Sequence, residues 1–269
     1  PFAYSVTPDP FRETLDSVLK RPDEDPFVMH THTNTEYWQR HASLGHTNPG
    51  NGEDLEIPEN VRMYVISSAQ HGGSSMPEAE VTQQTANSMT TGPILRAALT
   101  LMHRWVTQGE APPLSQLPRR DMGTLNWWED VVGKFPKIPG FRLPDSPSML
   151  PLYDYGPDFD KGLVTEHPPK PIAGLEYHLQ LPVVDVDGND LAGVRSPEIE
   201  APVGTHTGWN LRKEGFAEGD LFSLSGSFVP FARTKAERES NGDPRLSIEE
   251  RYPNHLAYIE AVKFAARKL

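Results

Sequence analysis

The chain has 269 residues, with 25 basic against 37 acidic side chains, a formal net charge of −12 and no cysteine. An acidic excess of this size repels a phosphate backbone, which argues against nucleic-acid binding, and the absence of thiols removes disulfides, thiolate metal sites and cysteine nucleophiles together. No run approaches the roughly 18 consecutive apolar residues of a membrane helix, so the sequence reads as a soluble protein; its 27 prolines predict long irregular segments.

The chain opens on Pro1 without a basic segment leading into an apolar one, and the expectation is that processing or truncation has removed an upstream part. Pro26 to Thr33 is a β-prone run, followed by a turn into a short helix capped by Asn34 or Thr35. Asn48-Pro49-Gly50-Asn51-Gly52 marks a polar loop, and Val61 to Ile66 is a second strand ending in Ser67-Ser68-Ala69-Gln70-His71-Gly72-Gly73. Ile94, Leu95, Ala98, Leu101, Met102, Trp105 and Val106 share one helical face, with Pro93 at the first helical position and Gly109 at the stop. From Ala111 to Pro171 the chain is rich in Pro, Asp and aromatic residues without periodicity, as in a covering segment or lid. Tyr177 to Val186, then Asp187-Gly188-Asn189 and Leu191 to Val194, read as a β-hairpin. Ser247 with Glu250 forms a capping box, and Asn254 to Leu269 reads as a surface helix.

Two strand ends carry groups for acid–base chemistry. Glu36 follows the first strand and His71 the second, in the order acid then base. A histidine that takes a nucleophile's proton needs a carboxylate to fix its tautomer and stabilise the imidazolium. The α/β-hydrolase order is nucleophile, acid, histidine, each on a loop at the carboxyl end of a strand. Glu36 and His71 fit the last two slots, with Asp54 or Glu53 as substitutes for the acid. No G-x-S-x-G elbow occurs: Gly73-Ser74-Ser75 follows the histidine, Ser225-Gly226-Ser227 lies far downstream, and Ser5 and Ser17 sit in no strand–turn–helix elbow. The nucleophile is therefore expected upstream, on another fragment or a partner chain. Tyr37 and Trp38 are candidates for lining a substrate pocket, as are Trp127 and Trp128.

The runs Asn34 to Leu44, Glu59 to Tyr64 with Ala69-Gln70-His71-Gly72, Gly204 to Arg212 and Ser225 to Thr234 resemble the C-terminal half of a bacterial family of alpha/beta hydrolase domain-containing proteins. The resemblance implies an α/β fold: the C-terminal part of an α/β-hydrolase sheet with a Pro-rich covering segment and an appended hairpin-plus-helix region. The implied parts are 1–110 for the core strands and helix, 111–175 for the cover and 176–269 for the appended region. It further implies serine-esterase activity on a small-molecule ester, with Glu36 and His71 as acid and base and no cofactor.

Two rival readings stand beside this one. His30-Thr31-His32 places two imidazoles on one side of a strand, as in the H-x-H of metal-dependent amidohydrolases, with His41 and His46 as further ligands; the regular βα repeats of a barrel are missing after Val106. A chain without a nucleophile also fits a non-catalytic binding or assembly subunit. Asp185, Asp187 and Asp190 around Gly188 mimic a calcium loop, but an Asp-Gly turn explains them, since the twelfth position from Asp185 is Ser196.

Overall fold

The computed structural model describes residues 2–11, 13–72 and 80–269. In chain order the elements are β1 (Thr7–Asp9), β2 (Thr14–Asp16), β3 (Val28–Thr33), α1 (Asn34–Arg40), β4 (Val61–Ile66), β5 (Thr85–Ala86), α2 (Gly92–Gln108), β6 (Leu125–Trp127), α3 (Trp128–Lys134), β7 (Leu150–Asp154), β8 (Lys170–Tyr177), β9 (Gln180–Pro182), α4 (Pro197–Glu200), β10 (Gly204–Thr207), β11 (Ser227–Pro230), α5 (Lys235–Asn241), α6 (Ile248–Arg251) and α7 (His255–Lys268). The result is a mixed α/β architecture of small sheets: four antiparallel groupings, β1-β2, β6-β9, β7-β8 and β10-β11-β5, and one parallel pair, β3-β4.

The parallel pair positions everything that follows. Its register runs from Val28 opposite Val61 to Thr33 opposite Ile66, so both strands end level and their carboxyl-terminal loops emerge side by side. β4 is buried on both faces, as parallel strands are. Val61, Met63 and Val65 join a core with Tyr37 and Trp38 of α1, Leu181, Trp209 and Leu211. Tyr64 and Ile66 face a second cluster with Met89, Ile94, Val194 and Ile199. The first core draws residues from all three stretches of chain, since Leu117, Leu125 and Val131 also enter it.

Helix α2 ends as expected, with Gly109 left-handed at φ 72° and its N–H on the Trp105 carbonyl. Its buried stripe is narrower than the sequence pattern: Ile94, Ala98 and Trp105 are buried, whereas Leu95 and Val106 are 43% and 58% exposed. Ser247 and Glu250 form the expected capping box on α6, and the Asn254 side chain caps α7 by accepting from the Ala257 N–H at 3.0 Å.

The expected hairpin over 177–194 forms only at its turn. Asp185 N–H bonds the Asn189 carbonyl and Leu191 N–H the Val183 carbonyl, while the Asp185 carboxylate accepts from Asp187 and Asn189 N–H groups. The arms then separate: β9 pairs with β6, and Val194 bridges to Ile66 on the far edge of β4. Burying Leu181 and Val194 in different clusters outweighs extending a local ladder.

Leu181 is fully buried and Leu99 is 72% exposed. Leu181→Ala is expected to lower unfolding free energy by about 2–5 kcal/mol and Leu99→Ala by about 0.5 kcal/mol at most, as read from urea denaturation.

Candidate active site

At the end of β3 the chain turns into α1 at Thr33, an extended residue (φ −111°, ψ 179°) that serves as N-cap with Glu36 at the third helical position. The cap thus lies one residue before Asn34 and two before Thr35, the two expected positions. The reason is tertiary: the Asn34 amide is taken by Asp190 and the Gly208 N–H, and the Thr35 hydroxyl donates to the Gly208 carbonyl at 2.7 Å. The helix presses on this turn so closely that a Cβ at Gly208 would lie 2.2 Å from the Thr35 nitrogen.

Glu36 Oε2 accepts from both the backbone N–H and the hydroxyl of Thr33, each at 2.6 Å. Its other oxygen, Oε1, is hydrogen-bonded to Nδ1 of His71. The Glu36 side chain is 15% exposed and that of His71 is 55% exposed. Burial pushes the Glu36 carboxyl up, but the bonds from Thr33 and His71 outweigh it and leave the group below the usual glutamate value. A carboxylate on Nδ1 makes that nitrogen the donor and leaves Nε2 as the acceptor. Nε2 is therefore the ring nitrogen that carries the free lone pair.

The segment before His71 is pinned residue by residue. Ser67 donates from its hydroxyl to the Ala192 carbonyl at 2.7 Å, Asn87 Nδ2 bonds the Ser68 carbonyl at 2.7 Å, Asn34 N–H bonds the Ala69 carbonyl at 3.1 Å, and Gly226 N–H bonds Gln70 Oε1 at 2.8 Å. Among the described residues the His71 ring is hydrogen-bonded to Glu36 and to no hydroxyl; Gly73, Ser74 and Ser75 lie outside the described residues.

The other candidates lie elsewhere. Tyr37 and Trp38 are buried in the core: the Tyr37 hydroxyl meets His46 Nε2 at 2.8 Å, and Trp38 packs on Trp209 at 5.0 Å between centroids. Asp54 accepts from the Asp121 N–H at 2.8 Å and faces Arg119, and Glu53 accepts from Asn51. Trp127 lies under the Arg120 guanidinium at 4.9 Å, and Trp128 packs against the main core. His41 is left-handed at φ 54° beyond α1, with Nε2 on the Ser148 carbonyl.

His30 and His32 share a face of β3 as expected, with ring centroids 4.1 Å apart, and His30 Nδ1 meets the Tyr4 hydroxyl at 3.0 Å. Among the described residues no group of three or more His, Asp or Glu side chains is placed to hold a metal ion. Burial, with His30 adding to it, pulls His32 down to about 4; burial and then His32 and Arg119 pull His46 down to about 3. His206, bonded through Nδ1 to Asn87 Oδ1 at 3.0 Å, is pulled down to about 4 by burial. Sequence reasoning missed Thr33 and the anchoring residues Asn87 and Asp190; the Thr-x-x-Glu spacing of a capping box was the available signal for Thr33.

Residues 3–269 match the family described as Alpha/beta hydrolase domain. No curated protein and no solved structure matches the chain. Among the described residues no helix is long and apolar enough to cross a membrane.

The buried imidazoles have a thermodynamic consequence. In the unfolded chain they titrate near 6.5, whereas His32, His46 and His206 stay neutral in the fold down to about 4, 3 and 4. Their contribution is complete above about pH 6.5 and is lost as pH falls toward those lower values. Asp190, raised to about 7 by burial, acts in the opposite sense. With three groups against one, unfolding at pH 5 is expected to take up about two protons from these four sites, and stability measured in urea falls steadily from pH 7 to pH 4.5.

Proposed function

Because the chain belongs to the alpha/beta hydrolase domain family, we propose that it supplies the acid and the base of a serine-type carboxylic-ester hydrolase, Glu36 and His71, acting with a serine carried by an upstream segment or a partner chain. The observation that carries the reading is the Glu36 Oε1 to His71 Nδ1 bond at the level carboxyl ends of two adjacent parallel strands. Two groups separated by 35 residues meet there, and the His71 side chain is 55% exposed.

The chemistry follows from that geometry. His71 Nε2 takes the proton of the serine hydroxyl as its oxygen adds to the ester carbonyl, and Glu36 stabilises the imidazolium through Nδ1. The tetrahedral adduct collapses to an acyl-serine while the imidazolium returns the proton to the departing alcohol. Water then repeats the sequence on the acyl-serine, releasing the acid and restoring the hydroxyl. Backbone N–H groups beside the nucleophile would hold the oxyanion.

The free edge of β3 among the described residues supports this reading. Val28 N–H bonds the Asn60 carbonyl, which sets the alternation along β3 so that Met29 and Thr31 turn their N–H and C=O groups away from β4. No strand among the described residues pairs with that edge. An added parallel strand would satisfy these groups and bring a strand-end serine to the same end of the sheet as His71.

His71→Ala or Glu36→Gln in the full-length protein is expected to reduce ester turnover by about 10⁴-fold without changing the unfolding midpoint by more than a few degrees. A fluorophosphonate probe is expected to label one serine on an upstream segment or a partner chain, mapped by mass spectrometry. Near wild-type turnover in His71→Ala sinks the assignment. If no serine labels in this chain or any that copurifies with it, the non-catalytic binding or assembly reading replaces it.

A further inference from the structure

Asp190 is a buried carboxylate, 2% exposed, to which the proposed chemistry assigns nothing. Both of its oxygens lie 2.8 Å from Asn34 Nδ2, and Oδ2 also accepts the Ser68 N–H at 2.6 Å. Its own backbone N–H donates to the Ser68 hydroxyl at 2.8 Å, and its carbonyl accepts from Arg195. Asn34 lies two residues before Glu36 and Ser68 three residues before His71. One side chain, more than 120 residues away in sequence from both, therefore grips the helix turn that carries the acid and the loop that carries the base.

Both grips fall on points that local structure leaves undetermined. Asn34 opens α1, where helix N–H and side-chain groups have no intrahelical partner; its Oδ1 is held in turn by the Gly208 N–H at 2.7 Å. Ser68 is left-handed at φ 56°, a conformation that costs a residue with a Cβ about 1 kcal/mol or more and persists only when its surroundings enforce it. The Asp190 carboxylate on its N–H and Asn87 on its carbonyl supply that enforcement. Every group facing the two carboxylate oxygens is a donor, so the ionised form is the one that satisfies the site, even though burial draws the group up to about 7 against the bonds from Ser68 and Asn34.

Burying a carboxylate is costly, and a buried charge is weak evidence of a purely stabilising role. We propose that Asp190 is a positioning residue that sets the distance and orientation between Glu36 and His71 by bonding Asn34 and Ser68 at once. The inference rests on the acid–base reading of Glu36 and His71 and specifies how that pair is held. Asp190 touches neither the pair nor any reacting atom; it acts through the first turn of α1 and the backbone of the histidine loop.

The test uses the full-length protein, with histidine nitrogens labelled for NMR and an aryl ester as substrate. A downfield imidazole Nδ1 proton is expected in the wild type and absent in Glu36→Gln. In Asp190→Asn one donor is turned against Ser68 N–H or Asn34 Nδ2; that proton is expected to broaden or vanish and kcat to fall about ten- to a hundredfold, with KM within twofold. The double substitution Asn34→Asp with Asp190→Asn returns an acceptor to each donor and is expected to restore both the resonance and kcat. Asp190→Asn with the resonance and kcat intact overturns the inference, as does a folded double variant that restores neither. A wild type without a resonance dependent on Glu36 overturns the acid–base reading itself, and the inference with it, and is told apart because it needs no change at Asp190. Should the single variant fail to fold, the double variant decides alone.

Discussion

The Glu36 carboxylate is the constraint around which this structure is arranged. One oxygen closes the start of α1 through Thr33 and the other holds Nδ1 of His71. Helix capping and imidazole orientation are thus served by a single group, so a displacement of the helix is also a displacement of the histidine. Because the Thr33 and His71 groups bonded to it favour the charged form, the same bonds that begin the helix keep Glu36 negative despite its burial.

Around that carboxylate the protein is polar where a core would be apolar. Asn34, Asn87, Asn189, Asn210, Gln70 and Asp190 are buried, and each has hydrogen-bond partners on segments far away in sequence. Buried amides are expensive unless satisfied, and when satisfied they admit one arrangement of the backbone where an apolar core would tolerate several. Here they fasten loops, which have no ladder of their own to fix them. His206 belongs to the same system, with Asn189 on its N–H and Asn87 on its Nδ1.

The apolar part of the molecule performs the complementary task of fixing β4. Its two faces are buried in different clusters, one under α1 and Trp209, the other under α2 and Val194. Gln116 and Val194 bond its far edge, so β4 behaves as an interior strand, and β3, its only strand partner among the described residues, carries the open edge. The line of His30, His32, Tyr37 and His46 fills the space between β3, α1 and the turn that follows, with the imidazoles kept neutral by burial.

What the sequence determined by itself is whatever short-range chemistry controls. The β-branched runs ending at Thr33 and Ile66, the stop at Gly109, the Ser247/Glu250 box and the Asn254 cap are all present where the residues place them, because propensity, periodicity and capping act over a few residues. The order of Glu36 and His71 after successive strands was legible for the same reason. What only the tertiary structure decided is what depends on partners distant in the chain. Asn34 looked like a cap and is an anchor for Asp190; the arms flanking Gly188 looked like a ladder and go to different sheets; Tyr37 and Trp38 follow a strand and are buried. The level register of β3 and β4, which makes two loops into one site, is set by backbone bonds between strands and by packing on both faces of β4. No local pattern encodes such long-range pairing, since its closure cost is met only when the whole core assembles.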